Sequence, residues 1–180
     1  VLTVNNRLAR HLQNQYDHAR RDEGALVWPR AEILSLSAWL GGRQAELPAG
    51  PAVLSTHQSL RVWEMIIEQD TARQGSRLLQ VPQTARRAHQ AHQLLIRHAA
   101  DFAAGAAAED QRAFLRWREL WRQAAARNQW LDSAEMSWLV AGAIDRQVLP
   151  APRHVILAGF DQLTPDIRRL RRALRDRGGI

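Results

Sequence analysis

The sequence predicts an α/β fold, predominantly helical overall, in which a small parallel sheet with covering helices carries a large all-helical insertion. Two observations point to it. Short apolar runs of strand length stand at residues 1–4, 25–29, 33–36 and 155–158, and helix-start signals follow the first, third and fourth. Between 33–36 and 155–158 the apolar period turns helical for about 90 residues, whereas the connections around it are long enough for the crossovers that parallel strands require. The core is expected over 1–52 and 147–180, and the insertion over 53–146.

Val1-Leu2-Thr3-Val4 opens the chain as a strand, and Asn5 or Asn6 can cap a helix carrying Leu8, Leu12 and Tyr16 that ends near Gly24. Ala25-Leu26-Val27-Trp28-Pro29 reads as a short extended piece halted by proline. Ile33-Leu34-Ser35-Leu36 is another, after which Ser37 can cap a helix through Trp39 and Leu40. Residues 41–52, rich in Gly and Pro, read as a loop. The insertion then shows three apolar sets at helical spacing: Leu60, Trp63 and Ile67; Leu94, Leu95 and His98; Phe114, Trp117 and Trp121. Breaks are expected at Gly75, near Gly105 and at Asn128. Asp132-Ser133-Ala134-Glu135 offers a capping box for a helix holding Trp138, Leu139 and Ile144, closed by Pro150 and Pro152.

The final run, 155–158, is short enough for a strand buried on both faces, and Gly159 lets the backbone turn. Thr164 can cap the next helix, Pro165 has the φ of a first helical residue, and Asp166 suits the positive end of the helix dipole. Ile167, Leu170 and Leu174 form its apolar stripe. Val1 enters a strand at once and residues 177–180 stop as abruptly, so the chain is expected to be a piece of a longer polypeptide.

Composition removes several chemistries. The 180 residues, 46% hydrophobic, suit one domain or one domain with a sizeable insertion. No stretch approaches the roughly 18 apolar residues of a membrane span, and no signal-peptide layout opens the chain, so a cytoplasmic, membrane-free protein is expected. There is no cysteine, hence no disulfide, thiolate metal site or cysteine nucleophile. All 25 basic residues are arginine. Without lysine there is no Walker A loop, no Schiff-base chemistry and no lysine for a two-metal nuclease site. No cofactor is expected.

The net charge of +7 favours polyanionic partners, because neutralising phosphates releases counterions. Arg168, Arg169, Arg171, Arg172, Arg175 and Arg177 surround the last apolar stripe. They read either as a solvated helix face or as a phosphate-contacting one, with Arg168, Arg169 and Arg172 the candidates. Asn5, Asn6, Arg7 and Arg10, at a helix start beside the carboxyl edge of the expected sheet, are the best candidates for phosphate contact, although capping and surface charge explain them equally well. Other constellations are weak. His89, His92 and His98 lack the Glu or Cys that would complete a metal site, so no metal is expected. Glu64 and Glu68 stack at i and i+4 as a solvated face, and the Phe114, Trp117 and Trp121 stripe reads as core rather than as a base-stacking platform.

Two segments carry a family resemblance. Val1-Leu2-Thr3-Val4-Asn5-Asn6-Arg7-Leu8-Ala9-Arg10 resembles the opening T-x-N-R-R-L-A stretch of bacterial probable DNA repair proteins with a PD-(D/E)XK nuclease domain, relatives of the AddB/RexB helicase–nuclease subunits. Leu157-Ala158-Gly159-Phe160-Asp161-Gln162-Leu163-Thr164-Pro165 resembles their G-F-x-x-L/F-T-P segment, which occupies the Walker B position of UvrD-like helicases. The resemblance covers both ends of the chain and implies a P-loop-NTPase sheet of UvrD-like type. Where a working helicase places the acids that hold magnesium, this chain has Ala158 and Gly159, and the turn after the first strand lacks phosphate-cradling glycines. What the resemblance implies is a non-catalytic, helicase-like DNA-binding scaffold of a DNA repair exonuclease, with the nuclease chemistry outside these residues. Its partners would be DNA, single-stranded or as a duplex end, and a helicase–nuclease subunit. The alternative is an α-helical protein-interaction module that docks a partner subunit.

Overall fold

The computed structural model describes residues 1–75, 80–101 and 108–178. It is predominantly helical (65%), with seven helices and a small parallel sheet among the described residues. In chain order the elements are β1 (Leu2–Thr3), α1 (Asn6–Asp22), β2 (Leu34–Ser35), α2 (Leu36–Ala45), β3 (Ala52–Val53), α3 (Thr56–Arg73), α4 (Val81–His98), α5 (Glu109–Asn128), β4 (Trp130–Leu131), a 3-10 turn (Ser133–Glu135), α6 (Met136–Asp145), β5 (Leu157–Ala158) and α7 (Pro165–Gly178). They form two compact units, Val1–Pro48 with Ser137–Ile180, and Ala49–Met136.

The first unit is built on the sheet β2-β1-β5, all parallel, with Leu2 opposite Leu34 and Leu157, and Thr3 opposite Ser35 and Ala158. β1 is central. Leu2 and Thr3 are buried there, and the Thr3 hydroxyl is satisfied by donating to the Asn5 carbonyl at 2.8 Å. β5 departs from the expectation of burial on both faces: it is an edge strand, its residues are half-buried, and Ile156 before it is 63% exposed. Asn5 caps α1, its Oδ1 accepting from the Leu8 N–H at 2.9 Å, and the helix gives way to Gly24 at φ +80°.

Residues 25–29 do not form a strand. The segment is tethered by side chains instead: Trp28 Nε1 donates to Asp17 at 2.9 Å, the Tyr16 hydroxyl donates to the Pro29 carbonyl at 3.1 Å, and Arg21 lies over the Trp28 ring. The loop expected from residue 41 begins later, because α2 continues through Gly41 and Gly42 to Ala45. Its cap is Ser35 rather than Ser37, with Oγ accepting from the Ala38 N–H. The last turn of α2 is held by Arg43, which pairs with Glu46 and donates to the Pro150 carbonyl. In α7, Leu170 and Leu174 of the expected stripe are buried, with Ala173 beside them, and Ile167 is half-buried; the Thr164 hydroxyl donates to the buried Asp166 carboxylate.

The second unit opens and closes on a second parallel pair that the sequence reading missed, Ala52 opposite Trp130 and Val53 opposite Leu131. α3 begins with a capping box in which Ser55 Oγ accepts from the Gln58 N–H and Gln58 Oε1 accepts from the Ser55 N–H. Its core gathers Leu54, Val62, Trp63, Ile66, Ile67, Ala85, Ala88, Phe114, Trp117 and Trp121. The Phe114, Trp117 and Trp121 stripe is therefore core, as expected. The Trp63 ring stacks on Trp121 at 5.5 Å and on Phe114 at 6.3 Å, and Trp117 Nε1 donates to buried Asp70 at 2.8 Å. On α4 the buried face is Ala85, Ala88, His89 and His92, with Leu95 packed beside it; Leu94 and His98, expected to share Leu95's stripe, are exposed. The break near Gly105 lies outside the described residues. α6, from Ser137 onward, belongs to the first unit, whereas the insertion was expected to run to 146. There Val140, Ala141 and Ile144 are buried, and Asp145 pairs with Arg169 of α7.

Candidate nucleic-acid interface

The parallel sheet directs the ends of its strands toward one edge, and α1 and α2 start where β1 and β2 finish. This edge is where backbone amides and helix dipoles favour anions. Asn6, Arg7 and Arg10 are all exposed there. Asn6 and Arg10 border a hollow of about 360 Å³ that also receives Gln13, Asn14, Arg30 and Ser35. Arg10 and Arg30 have no acidic partner among the described residues, so the hollow presents two guanidinium forks, the three carboxamides of Asn6, Gln13 and Asn14, and the start of α2. Its donors outnumber its acceptors, a composition suited to phosphate oxygens.

The other predicted residues divide. Asn5 is committed to capping α1, and Arg7 does not line the hollow. On α7, Arg168 Nε donates to the Leu163 carbonyl at 2.7 Å and Arg169 is bound to Asp145, which leaves Arg172 exposed and without an intramolecular partner among the described residues. None of these three lines the hollow, so the α1 and α7 candidates do not converge on it. Arg30 was missed. Its place beside Arg10 comes from the folding back of residues 25–33, and no local pattern records that.

Ala158 ends β5, and Gly159 follows at φ +78°. A Cβ at 159 would stand 2.5 Å from Leu8 Cδ2 and 3.3 Å from Val4 Cγ1. The space beside this turn is thus filled by apolar side chains, and any acid placed at 159 would have to displace Leu8.

The histidines of α4 serve the interior of the second unit. His89 Nε2 lies 2.7 Å from Asp132 Oδ2, and Gln93 Nε2 donates to Asp132 Oδ1 at 3.0 Å. Asp132 also accepts from the Ala134 N–H, while Glu135 accepts from the Asp132 N–H, which completes the expected capping box. Burial pushes the Asp132 carboxyl up, but hydrogen bonds from His89, the Ala134 amide and Gln93 outweigh it and bring the pKa down to about 2. Glu135 is raised, chiefly by burial. His92 packs against both rings of the Trp63–Trp121 stack, with neither ring nitrogen hydrogen-bonded. Burial is the main reason that its pKa falls to about 4; Asp132 opposes the fall, and Arg118, His89 and Arg122 add to it. Among the described residues no group of three His, Cys, Asp or Glu side chains could hold a metal ion, and no helix is long and apolar enough to cross a membrane. Glu64 pairs with Arg61, and Glu68 is exposed.

No protein-family model, curated protein or solved structure matches the chain.

Proposed function

We propose that this chain is a non-catalytic, helicase-like DNA-binding scaffold, a degenerate P-loop-NTPase core of UvrD-like type that serves a DNA repair exonuclease in the cytoplasm. The observation that carries the reading is the hollow between α1, residues 30–33 and the start of α2, which Asn6, Arg10 and Arg30 line. Arginine forks and a helix N-terminus bind phosphate without reading sequence, which is what a scaffold on a DNA strand or duplex end needs. The net charge of +7 supports the same partner. The loss of ATP hydrolysis is supported by the absence of lysine and by the packing of Val4 and Leu8 against Gly159, where a helicase would hold its acids.

Fluorescence anisotropy with single-stranded, duplex and forked oligonucleotides over a salt series tests the reading. Binding is expected to weaken steeply with salt, and Arg10→Ala with Arg30→Ala to lower the slope of log K against log salt by about 1 to 2. No binding at low salt, or a slope that the double variant leaves unchanged, would refute it.

A further inference from the structure

A second surface, in the helical unit, faces a different kind of partner. α3 contributes Val62, Met65, Ile66 and Arg73, at spacings that keep them on one side of the helix, and α5 contributes Leu120 and Arg127 to the same groove. Trp130, just beyond α5, also lines it, and the groove holds about 370 Å³. Its apolar lining, which stands beside the amides of Gln69, Gln123 and Asn128, includes Met65, 44% exposed. Methionine in an open groove adapts to the shape of an incoming side chain. Among the described residues no aspartate or glutamate lines the groove. Arg73 has no acidic partner among the described residues, and Arg127 donates from Nε only to the Gln123 carbonyl. A groove between two helices that combines apolar side chains with two arginines lacking acidic partners among the described residues matches an amphipathic helix that carries acids beside its apolar stripe.

We propose that the α3–α5 groove docks an amphipathic α-helix of a partner protein, its apolar face on Met65 and Trp130 and its flanking carboxylates on Arg73 and Arg127. The site is independent of the DNA reading, since none of these residues borders the hollow beside α1.

The probes are fluorescein-labelled synthetic helices with one Leu/Ala stripe, flanked by Glu in one peptide and by Lys in another, titrated against the full chain. The Glu-flanked peptide is expected to bind at least tenfold more tightly than the Lys-flanked one. Met65→Glu, a half-exposed helix position at which circular dichroism checks the fold, should weaken it at least tenfold. Arg73→Glu with Arg127→Glu should reverse the preference, which a general loss of folding would not do. Equal affinity for both peptides, or binding indifferent to Met65→Glu, overturns the proposal. So does self-association in sedimentation velocity that Met65→Glu abolishes, because the occupant would then be a second copy, and so does oligonucleotide binding abolished by the same change.

Discussion

Replacing His92 by phenylalanine keeps an aromatic ring against the Trp63–Trp121 stack and removes a titratable group from the interior of the helical unit. The pH dependence follows from the direction of its shift. In the unfolded chain the imidazole titrates near 6.5, and in the folded unit near 4, because burial without a hydrogen-bond partner disfavours the cation. Between these values the unfolded state binds a proton that the folded state does not, so acid favours unfolding. Stability tied to this group is complete above about pH 6.5, falls as the pH drops, and levels off below about 4. The gap of about 2.5 pH units, at about 1.4 kcal/mol each, amounts to about 3 kcal/mol. Around the ring, α4 presents His89, α5 presents Arg118 and Arg122, the turn after β4 presents Asp132, and α3 presents uncharged Trp63. Asp132 is depressed, so its contribution is present above the usual carboxylate range and is lost only as the pH falls toward about 2, outside the His92 window. Urea unfolding followed by tryptophan fluorescence, from about pH 7.5 to about pH 4.5, measures the effect. The wild-type chain should lose roughly 2 to 3 kcal/mol more than His92→Phe over that interval, most of the full difference, because the folded-state pKa is not yet passed at about pH 4.5. Parallel curves for the two proteins would refute the reasoning.

Gly41 and Gly42 lie inside α2, where an added Cβ meets nothing within 4 Å. Gly41→Ala and Gly42→Ala should each stabilise the protein by about 0.5–1 kcal/mol in thermal denaturation. Gly159→Ala combines a left-handed φ with a Cβ 2.5 Å from Leu8, so a loss of about 2–4 kcal/mol is expected in chemical denaturation. Asp70→Ala orphans the buried Trp117 indole N–H and should cost about 1–3 kcal/mol, whereas Asp70→Asn keeps an acceptor and should cost less; urea unfolding of the two variants measures both.

The parts of the fold legible in the sequence are those set by local chemistry. Asn5 and Asp132 each precede a helix or turn and cap it, and the Phe114, Trp117 and Trp121 spacing marks a buried stripe. What escaped depends on distant chain. α2 runs through two glycines because Ser35 caps it and Arg43 ties its far end to the Pro150 carbonyl, and propensity alone reads that stretch as loop. The apolar set expected on α4, Leu94, Leu95 and His98, follows from helical spacing alone. The tight α3–α4 contact instead selects Ala85 and Ala88, small enough to let the helices approach, and His89, which finds Asp132 43 residues away. Of the candidate site, Asn6 and Arg10 were readable from the strand–helix junction, and Arg30 was not, because a side-chain-tethered loop delivers it.

The β3–β4 pair has a mechanical consequence. The chain enters the helical unit through β3 and leaves through β4, and the two run parallel, joined by the Ala52 amide to the Gln129 carbonyl and the Leu54 amide to the Leu131 carbonyl. Tension applied to the flanking chain pulls the front of one strand against the back of the other. That is shear: both hydrogen bonds bear load together, where an antiparallel closure pulled from its open end would yield one bond at a time. A pull on either side of the unit would therefore meet a fastening that resists as a whole before any helix within it feels the force.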